Sequence, residues 1–166
     1  MTASEIRVCQ ADYGRSDHAD AVVGLLDAYA RDPMGGAQAL SDFAKTNLIA
    51  ALAARPHAYS VLAFGGPDGQ TAVGLVNCIE GFSTFACLPL VNVHDVVVLG
   101  GYRGQRIGER MLALAEEIAR QRGACKLTLE VLQGNAGAIR LYQRVGFANY
   151  QLDPAMGHAQ FWQKWL

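Results

Sequence analysis

Apolar residues recur along this chain with two periods, and these predict an alternation of strands and helices. Apolar runs that are β-branched, or that alternate with polar residues, predict strands at 5–9, 58–64, 71–80, 92–98 and 125–131. Apolar residues spaced three and four apart predict helices at about 16–31, at 39–54 and from Ile107 onwards. A short helix at 135–145 and two closing strands at 147–151 and 159–165 complete the order.

Turn and cap signals separate these elements. Ser16 or Asp17 can cap the first helix, and Gly123 supplies the end of the helix that starts near Ile107. The sequence GGPDG at 65–69 predicts a hairpin turn between two strands. The stretch 81–89, GFSTFACLP, is expected to be a loop that exposes its two phenylalanines.

Length and composition favour one globular domain spanning 1–166. The chain has 166 residues, of which 51% are hydrophobic and 17% charged, so it can bury a core and is unlike a disordered segment. A net charge of −1 gives no general attraction to nucleic acid or to an anionic membrane. The first residues lack a secretory signal pattern and no apolar run reaches membrane-spanning length, so we expect a cytoplasmic protein.

The four cysteines predict neither a disulfide framework nor a metal site. Cys9, Cys78 and Cys125 fall in predicted strands, and no Cys-x-x-Cys pair or zinc spacing is present. Reduced, buried thiols are the favoured interpretation. A nucleophilic cysteine would most plausibly be Cys87 in the predicted loop, but nothing around it supports that role.

The segment 92–108 combines a buried strand, a glycine-rich turn and a helix start. Val96 to Val98 end the strand, two glycines follow, and the helix begins within the turn Arg103–Gly108. The first backbone N–H groups of a helix have no partner inside it, and the helix dipole favours an anion there. Glycines let a ligand approach the backbone, and Arg103 can contact a phosphate. An ordinary tight turn is the structural alternative.

This segment resembles the coenzyme-A-binding motif of the GCN5-related N-acetyltransferases (GNAT), in which Arg/Gln-x-x-Gly-x-Gly/Ala follows a central strand. The motif here reads Arg103-Gly104-Gln105-Arg106-Ile107-Gly108. A second family signature, NAGAIRLYQRVGF, runs from Asn135 to Phe147. Two residues depart from the family pattern: Arg106 replaces a usual glycine, and Gly100 a common proline. Arg106 could point outward to a coenzyme phosphate, which we favour, or crowd the turn.

The resemblance implies an α/β (α+β) fold with a mixed central sheet of about seven strands and four helices. The parallel fourth and fifth strands, 92–98 and 125–131, would splay apart and admit acetyl-CoA as the co-substrate. The implied activity is transfer of the acetyl group directly to an amine of a small molecule or a protein, without a metal. A non-catalytic acyl-CoA-binding module on the same fold is the alternative, and a homodimer is left open.

The resemblance also implies the coenzyme contacts. The backbone of the valines would pair with the pantetheine arm, and the turn would hold the pyrophosphate. Tyr142 would also protonate the departing thiolate. The implied contacts are Val96, Val97, Val98, Arg103, Gly104, Gln105, Arg106, Ile107, Gly108, Glu109, Asn135 and Tyr142. The structural alternatives are core packing for the valines and Tyr142, and a helix N-cap for Asn135.

The base and the acceptor site are less defined. The resemblance implies Glu130 as the first candidate for the base, because its spacing before Asn135 matches the glutamate that serves as base in a bacterial family member that acetylates a ribosomal protein. A structural role is its alternative, and Glu80, His94 or a chain of water molecules are rivals. His94 titrates in a suitable range, but it stands beside Asp95 and can form a structural pair with it. The residues expected on the acceptor side are Asp32, Met34, Glu80, Phe82, Phe85 and His94, together with the turn 153–158. Acids outnumber bases there, which favours a cationic amine.

Overall fold

The computed structural model of the protein describes residues 5–166, so the first four residues of the predicted domain lie outside the described range. The described chain divides into two compact units. The larger unit ends at Leu129, and the smaller one runs from Glu130 to Leu166.

The larger unit is one mixed sheet with three helices. Its strands are β1 (Arg7–Gln10), β2 (Ala58–Gly65), β3 (Thr71–Ser83), β4 (Leu88–Val98) and β5 (Leu127–Leu129). Its helices are α1 (Ser16–Arg31), α2 (Asp42–Ala53) and α3 (Ile107–Gln121). The strands lie in the order β1-β2-β3-β4-β5. Neighbours pair antiparallel except β4 and β5, which are parallel as the resemblance implied.

The sheet has five strands, so the expectation of about seven is wrong. The segments 147–151 and 159–165 form no strand in the described chain, and a single hydrogen bond, from Ala159 N–H to Tyr150 O, joins them. The alternating pattern of these segments fits a strand only where a partner strand completes the ladder. Without one, their large side chains stay exposed, as Trp162 and Trp165 show.

The predicted loop at 81–89 is also wrong, because the hairpin between β3 and β4 is longer than the sequence indicated. Gly81 pairs with Leu90, and the ladder continues to Ser83 opposite Leu88. Only residues 84–87 remain as a turn. The two phenylalanines of this stretch are exposed, as expected.

The helices lie close to their predicted positions, with different ends. The N-cap of α1 is Arg15, whose side chain makes no capping hydrogen bond, so neither Ser16 nor Asp17 caps this helix. α2 begins later than predicted because the Ser41 hydroxyl accepts from the N–H of Ala44 and fixes its start. Gly123 follows α3 with a φ of 76°, as its predicted role requires. Within residues 5–166, no helix is both long and apolar enough to cross a membrane.

All four cysteines are free thiols. Cys78 is buried on β3 and Cys9 is half-buried on β1. Cys125 is exposed and precedes β5, so its predicted burial in a strand is wrong. Cys87 is exposed in the 84–87 turn.

The core of the larger unit lies on both faces of the sheet. On one face, Leu62, Leu75 and Val97 form a cross-strand row that packs with Val22 and Leu25 of α1. The opposite face packs against α3. There the hydroxyl of Tyr59 donates to the carbonyl of Ala115 at 2.8 Å.

The smaller unit contains α4 (Ala136–Arg144) and a short 3₁₀ turn at Pro154–Met156. The Asn135 side chain accepts from the N–H of Ala138 and caps α4. The ring of Tyr142 meets the ring of Phe147 edge to face at 5.9 Å between centroids.

Gly74 on β3 lets α3 approach the sheet closely. A Cβ atom at this position would lie 2.8 Å from Met111 Cε and 3.3 Å from the carbonyl oxygen of Val97. The fully buried Met111 therefore occupies the space that a side chain on Gly74 would need.

We expect Gly74→Val to lower the free energy of unfolding by about 1–3 kcal/mol, because an overpacked core must shift. Urea denaturation followed by circular dichroism measures the change. Gly81→Val is the matched control on the same strand, since its Cβ would meet nothing closer than 3.5 Å. Equal stability of the two variants would contradict the close approach of α3.

Candidate active site

The pairing between β4 and β5 ends early. It covers three residue pairs, the last being Val93 with Leu129. β4 continues to Val98, where it still pairs with Gly74 of β3. β5 therefore offers no partner to residues 94–98. The splaying apart of the two strands stays a prediction.

A bulge at His94 decides which backbone groups face this gap. Asn77 of β3 pairs with Asp95, whereas the next residue, Cys78, pairs with Val93. Beyond the bulge, the N–H of Leu99 donates to Val73 on the β3 side. Because backbone direction alternates along a strand, Val96 and Val98 turn their N–H and C=O groups toward the side that β5 has left. The carbonyl of Val98 accepts there from Arg103 Nε at 3.0 Å.

The three valines at the end of β4 lie in different environments. Val97 is buried in the core on the α1 face, so its side chain has the core-packing role that was its structural alternative. Val96 and Val98 are half-buried. Their backbone role toward pantetheine stays a prediction.

The anion turn, residues 104–108, gathers unpaired backbone donors. α3 begins at Ile107, and its first helical hydrogen bond runs from Arg110 N–H to Arg106 O. No acceptor for the N–H groups of residues 104–108 occurs among the described side chains and backbone. These donors lie at the positive end of the α3 dipole, so the turn is suited to hold a phosphate.

Arg106 takes an unusual backbone conformation within the anion turn. Its φ is 57° and its ψ 20°, in the left-handed region that glycine enters without strain. This geometry explains why glycine suits the position. The side chain of Arg106 is exposed and does not crowd the turn.

Arg103 connects the anion turn to the predicted acceptor side. Its Nη2 lies 3.4 Å from Oδ2 of Asp32, which follows α1. The carboxylate of Asp32 also accepts from the N–H of Met34, and that hydrogen bond, with the charge of Arg103, lowers the pKa of Asp32. A residue predicted to bind the coenzyme and one predicted to bind the acceptor are therefore in direct contact.

Of the other predicted acceptor-side residues, Met34 is hydrogen-bonded to Asp32, whereas Glu80, Phe82 and Phe85 belong to the β3–β4 hairpin. Met34, Phe82 and Phe85 are exposed. Glu80 forms an ion pair at 3.4 Å with Arg122, the C-cap residue of α3, and its Oε1 lies 3.5 Å from Nδ1 of His57.

His94 does not pair with Asp95, so that structural expectation is wrong. Its Nδ1 lies 2.9 Å from Oδ1 of Asn92, and the ring is exposed on the bulge. The bulge turns neighbouring side chains away from the strict alternation that would place them by sequence alone.

A polar row crosses the sheet beside this bulge and was not predicted. Ser60, Asn77 and Asp95 are direct cross-strand neighbours on β2, β3 and β4. The Ser60 hydroxyl donates to Asn77 Oδ1 at 2.6 Å, and Asn77 Nδ2 donates to Asp95 Oδ2 at 3.0 Å. The hydroxyl of Tyr13, before α1, lies 2.8 Å from Ser60 Oγ. The signal that could have revealed the row is a polar residue between apolar neighbours, as at Ser60 of β2 and Asn77 of β3, together with Asp95 just before the valines of β4.

Tyr13 also lines an open cleft of about 510 Å³. The loop between β1 and α1, the end of α2 and Arg122 form the rest of its wall. This cleft lies at the C-terminal end of α3, whereas the anion turn lies at the N-terminal end. The polar row thus runs from the cleft toward the open part of β4.

The smaller unit carries the remaining predicted residues. Asn135 caps α4, so it has the N-cap role that was its structural alternative. Tyr142 is buried, and its ring packs against Phe147. Glu130 is exposed and follows the last residue of β5 directly. Across residues 5–166, no three His, Cys, Asp or Glu side chains lie together as metal ligands would. The coenzyme and catalytic roles of these residues stay predictions.

Comparison with known proteins finds acetyltransferases. Streptothricin acetyltransferase of Streptomyces lavendulae is 36% identical over 108 residues, which cover 55% of this chain and 57% of that protein. The chain therefore spans little more than half the length of this relative. Aminoalkylphosphonate N-acetyltransferase of Salmonella typhimurium is 29% identical over 140 residues, covering 84% of this chain and 85% of that one.

Solved structures share the fold. A probable acetyltransferase superposes with a TM-score of 0.75 at 21% identity, over 87% of this chain and 91% of its own. The aminoglycoside acetyltransferase AAC(6')-Iy, in complex with a bisubstrate analogue of coenzyme A, superposes with a TM-score of 0.76 at 15% identity, over 98% and 100%. The family model of the GNAT acetyltransferases matches residues 21–147. The strand, the anion turn and α3 fall within that match, and the chain belongs to the GNAT acetyltransferase family.

Proposed function

We propose that the protein is an N-acetyltransferase that moves the acetyl group of acetyl-CoA directly to an amine. The observation that carries the proposal is the anion turn with its unpaired N–H groups, which only residues 99–103 separate from the open part of β4. Pyrophosphate binding needs such donors, and a pantetheine arm needs a strand edge with free backbone groups.

The coenzyme contacts follow from this placement. The N–H groups of residues 104–108 and the exposed guanidinium of Arg106 would meet the phosphates, while Val96 and Val98 would pair with pantetheine. The family resemblance implies coenzyme contacts for Asn135 and Tyr142 of the smaller unit as well.

The transfer step needs a proton acceptor and a proton donor. The amine nitrogen attacks the thioester carbonyl carbon, the carbon–sulfur bond breaks, and the acetyl group stays on nitrogen. Tyr142 would give its phenolic proton to the departing thiolate, since an unperturbed phenol has a pKa of about 10 and is protonated at neutral pH. Glu130 is our first candidate to take the proton from the amine, with Glu80 and His94 as rivals.

A cationic acceptor fits the charge of the region between α1 and β4. Asp32 and Asp95 lie there, and Asp32 is partly neutralised by Arg103. Relatives whose names state an acceptor act on streptothricin, thialysine or an aminoalkylphosphonate. We propose that the reaction takes place in the cytosol, a reducing compartment that suits four free thiols.

The proposal is tested by incubating the full chain with acetyl-CoA and four amines, and reading the release of free thiol. The amines are streptothricin, thialysine, an aminoalkylphosphonate and sisomicin, which is bound in a structurally similar aminoglycoside acetyltransferase. We expect the three acceptors without a phosphonate to react faster, because the two carboxylates repel that anion. Coenzyme binding without turnover of any amine would identify a binding module instead.

The anion turn should be sensitive to added negative charge. Acetyl-CoA at about 100 times its dissociation constant should stabilise the fold by about 2.7 kcal/mol. Gln105→Glu places a carboxylate against the phosphates, and we expect coenzyme affinity to fall about tenfold in calorimetry. Gln121→Glu, at the other end of α3, makes the same charge change and should leave the affinity intact. The placement of the coenzyme is wrong if both variants bind alike.

Arg106→Gly separates backbone strain from phosphate contact. A non-glycine residue in the left-handed conformation costs about 1–2 kcal/mol of stability, which the substitution recovers. Glycine in turn costs about 0.5–1 kcal/mol, because it loses more chain entropy on folding. We therefore expect the free energy of unfolding to be unchanged or to rise by up to about 1.5 kcal/mol, while coenzyme affinity falls severalfold. Ala113→Gly, at an exposed site inside α3, should instead lose about 1 kcal/mol. An affinity that survives Arg106→Gly would leave the guanidinium without a coenzyme role.

Tyr142→Phe removes the proposed proton donor and keeps the ring against Phe147. We expect turnover to fall about 100- to 10,000-fold, the usual contribution of a general acid. Thermal stability and coenzyme affinity should hardly change. Tyr150→Phe, at a more exposed tyrosine of the same unit, is the control. Unaltered turnover in Tyr142→Phe would make Tyr142 a packing residue only.

A further inference from the structure

The polar row occupies positions that the core would otherwise fill. Ser60 is fully buried and Asn77 is 5% exposed. The neighbouring row on the same face, Leu62, Leu75 and Val97, is apolar and packs against α1. Burying polar groups costs free energy unless every member is hydrogen-bonded, so an apolar row would fill these positions without that cost.

The charge of Asp95 sets the direction of every hydrogen bond in the row. The carboxylate can only accept, so the NH₂ of Asn77 must face it and the Asn77 carbonyl must face Ser60. The Ser60 hydroxyl then donates to Asn77, which leaves Ser60 Oγ to accept from the Tyr13 hydroxyl. Burial raises the pKa of Tyr13, which keeps the proton on that donor.

One oxygen of Asp95 is fixed and the other is available. Oδ2 accepts from Asn77, whereas Oδ1 accepts no hydrogen bond from the described residues and is not among the fully buried unpaired atoms. No cationic side chain within residues 5–166 lies at ion-pair distance from Asp95, in contrast to Asp32, which has Arg103.

Asp95 also faces the predicted acceptor side. The pKa of Tyr29 on α1 is raised by burial, then by the charges of Asp95 and Asp32, so the three groups share one region. The open part of β4 begins at the same bulge. A substrate amine that reached a thioester on β4 would therefore meet Asp95.

We propose that Tyr13, Ser60 and Asn77 are positioning residues that hold Asp95 so that its Oδ1 accepts a hydrogen bond from the acceptor amine. This inference rests on the proposed function and assigns an acceptor-binding role to Asp95. The row acts by orienting Asp95. The Asn77 amide, which Ser60 holds in one orientation, donates to Oδ2 of Asp95 and so fixes the direction of Oδ1. The far end of the row, at Tyr13, lies in the wall of the cleft near the end of α3.

The test measures steady-state kinetics of the full chain with acetyl-CoA and whichever of streptothricin, thialysine, the aminoalkylphosphonate and sisomicin the wild type uses best. Three single variants break the row at successive points: Asp95→Asn, Ser60→Ala and Tyr13→Phe. A double variant combines the first two. Tyr59→Phe is the matched control, because it also removes a buried tyrosine hydrogen bond beside Ser60, but on the α3 face of the sheet. Coenzyme affinity is measured by calorimetry for each.

We expect kcat/KM for the amine to fall about 100-fold in Asp95→Asn, with KM for the amine rising and coenzyme affinity unchanged. Ser60→Ala frees the Asn77 amide and should lower kcat/KM about 2- to 10-fold, with a smaller loss for Tyr13→Phe. In the double variant, Ser60→Ala should add almost nothing to the loss from Asp95→Asn, because residues acting through one group are not additive. Tyr59→Phe should lose stability but keep its kinetics.

The outcomes separate this inference from the proposed function. Wild-type protein that acetylates none of the four amines contradicts the proposed function, and the role of Asp95 falls with it. A wild type that turns over while Asp95→Asn keeps its kinetics overturns this inference alone. The row is only structural if the losses of kcat/KM from Asp95→Asn and Ser60→Ala multiply in the double variant. It is also only structural if Tyr59→Phe loses as much kcat/KM as Tyr13→Phe. Should Ser60→Ala fail to fold, Tyr13→Phe, at the half-buried end of the row, still decides the matter.

Discussion

The early end of the β4–β5 pairing is the constraint on which the rest of the site depends. Two parallel strands that continued side by side would use their backbone groups on each other. Here the ladder stops after three pairs while β4 continues for five more residues, of which Val96 and Val98 turn their backbone groups to a side without a described strand. The anion turn follows β4 after residues 99–103, which include the short 3₁₀ turn Gly100–Tyr102, and it starts α3. The same chain segment thus supplies a strand edge and a cluster of donors.

Both faces of the sheet pack against a helix, and the α1 face also carries the polar row. On the α3 face, Gly74 and Met111 bring the helix close and hold the anion turn in place. On the α1 face, an apolar row secures the helix and the adjacent polar row reaches the bulge on β4. A difference of two residues along each strand is enough to change from core packing to a charged carboxylate, because side chains on one face recur every second residue.

Local patterns predicted much of the fold, and long-range pairing explains what they missed. Short stretches of sequence determine the bounds of α1 and the glycine-rich turn, so periodicity and turn residues predicted both. The closing strands failed because alternation cannot tell whether a partner strand exists. The polar row depends on the register of three strands, and the bulge at His94 shifts that register without a local signal. Arg103 and Asp32 meet across 71 positions of sequence, beyond the reach of any local pattern.

The lengths of the strands also bear on how the molecule behaves in concentrated solution. The two outermost strands, β1 and β5, have four and three residues, while the central β3 and β4 have thirteen and eleven. An outer strand presents a row of backbone groups that can recruit another chain, and a short one presents few of them. The long, β-branched strands β3 and β4 lie inside the sheet, and among the described strands they leave unpaired on one side the stretch 94–98 of β4. The backbone groups through which such strands aggregate are therefore paired over most of their length.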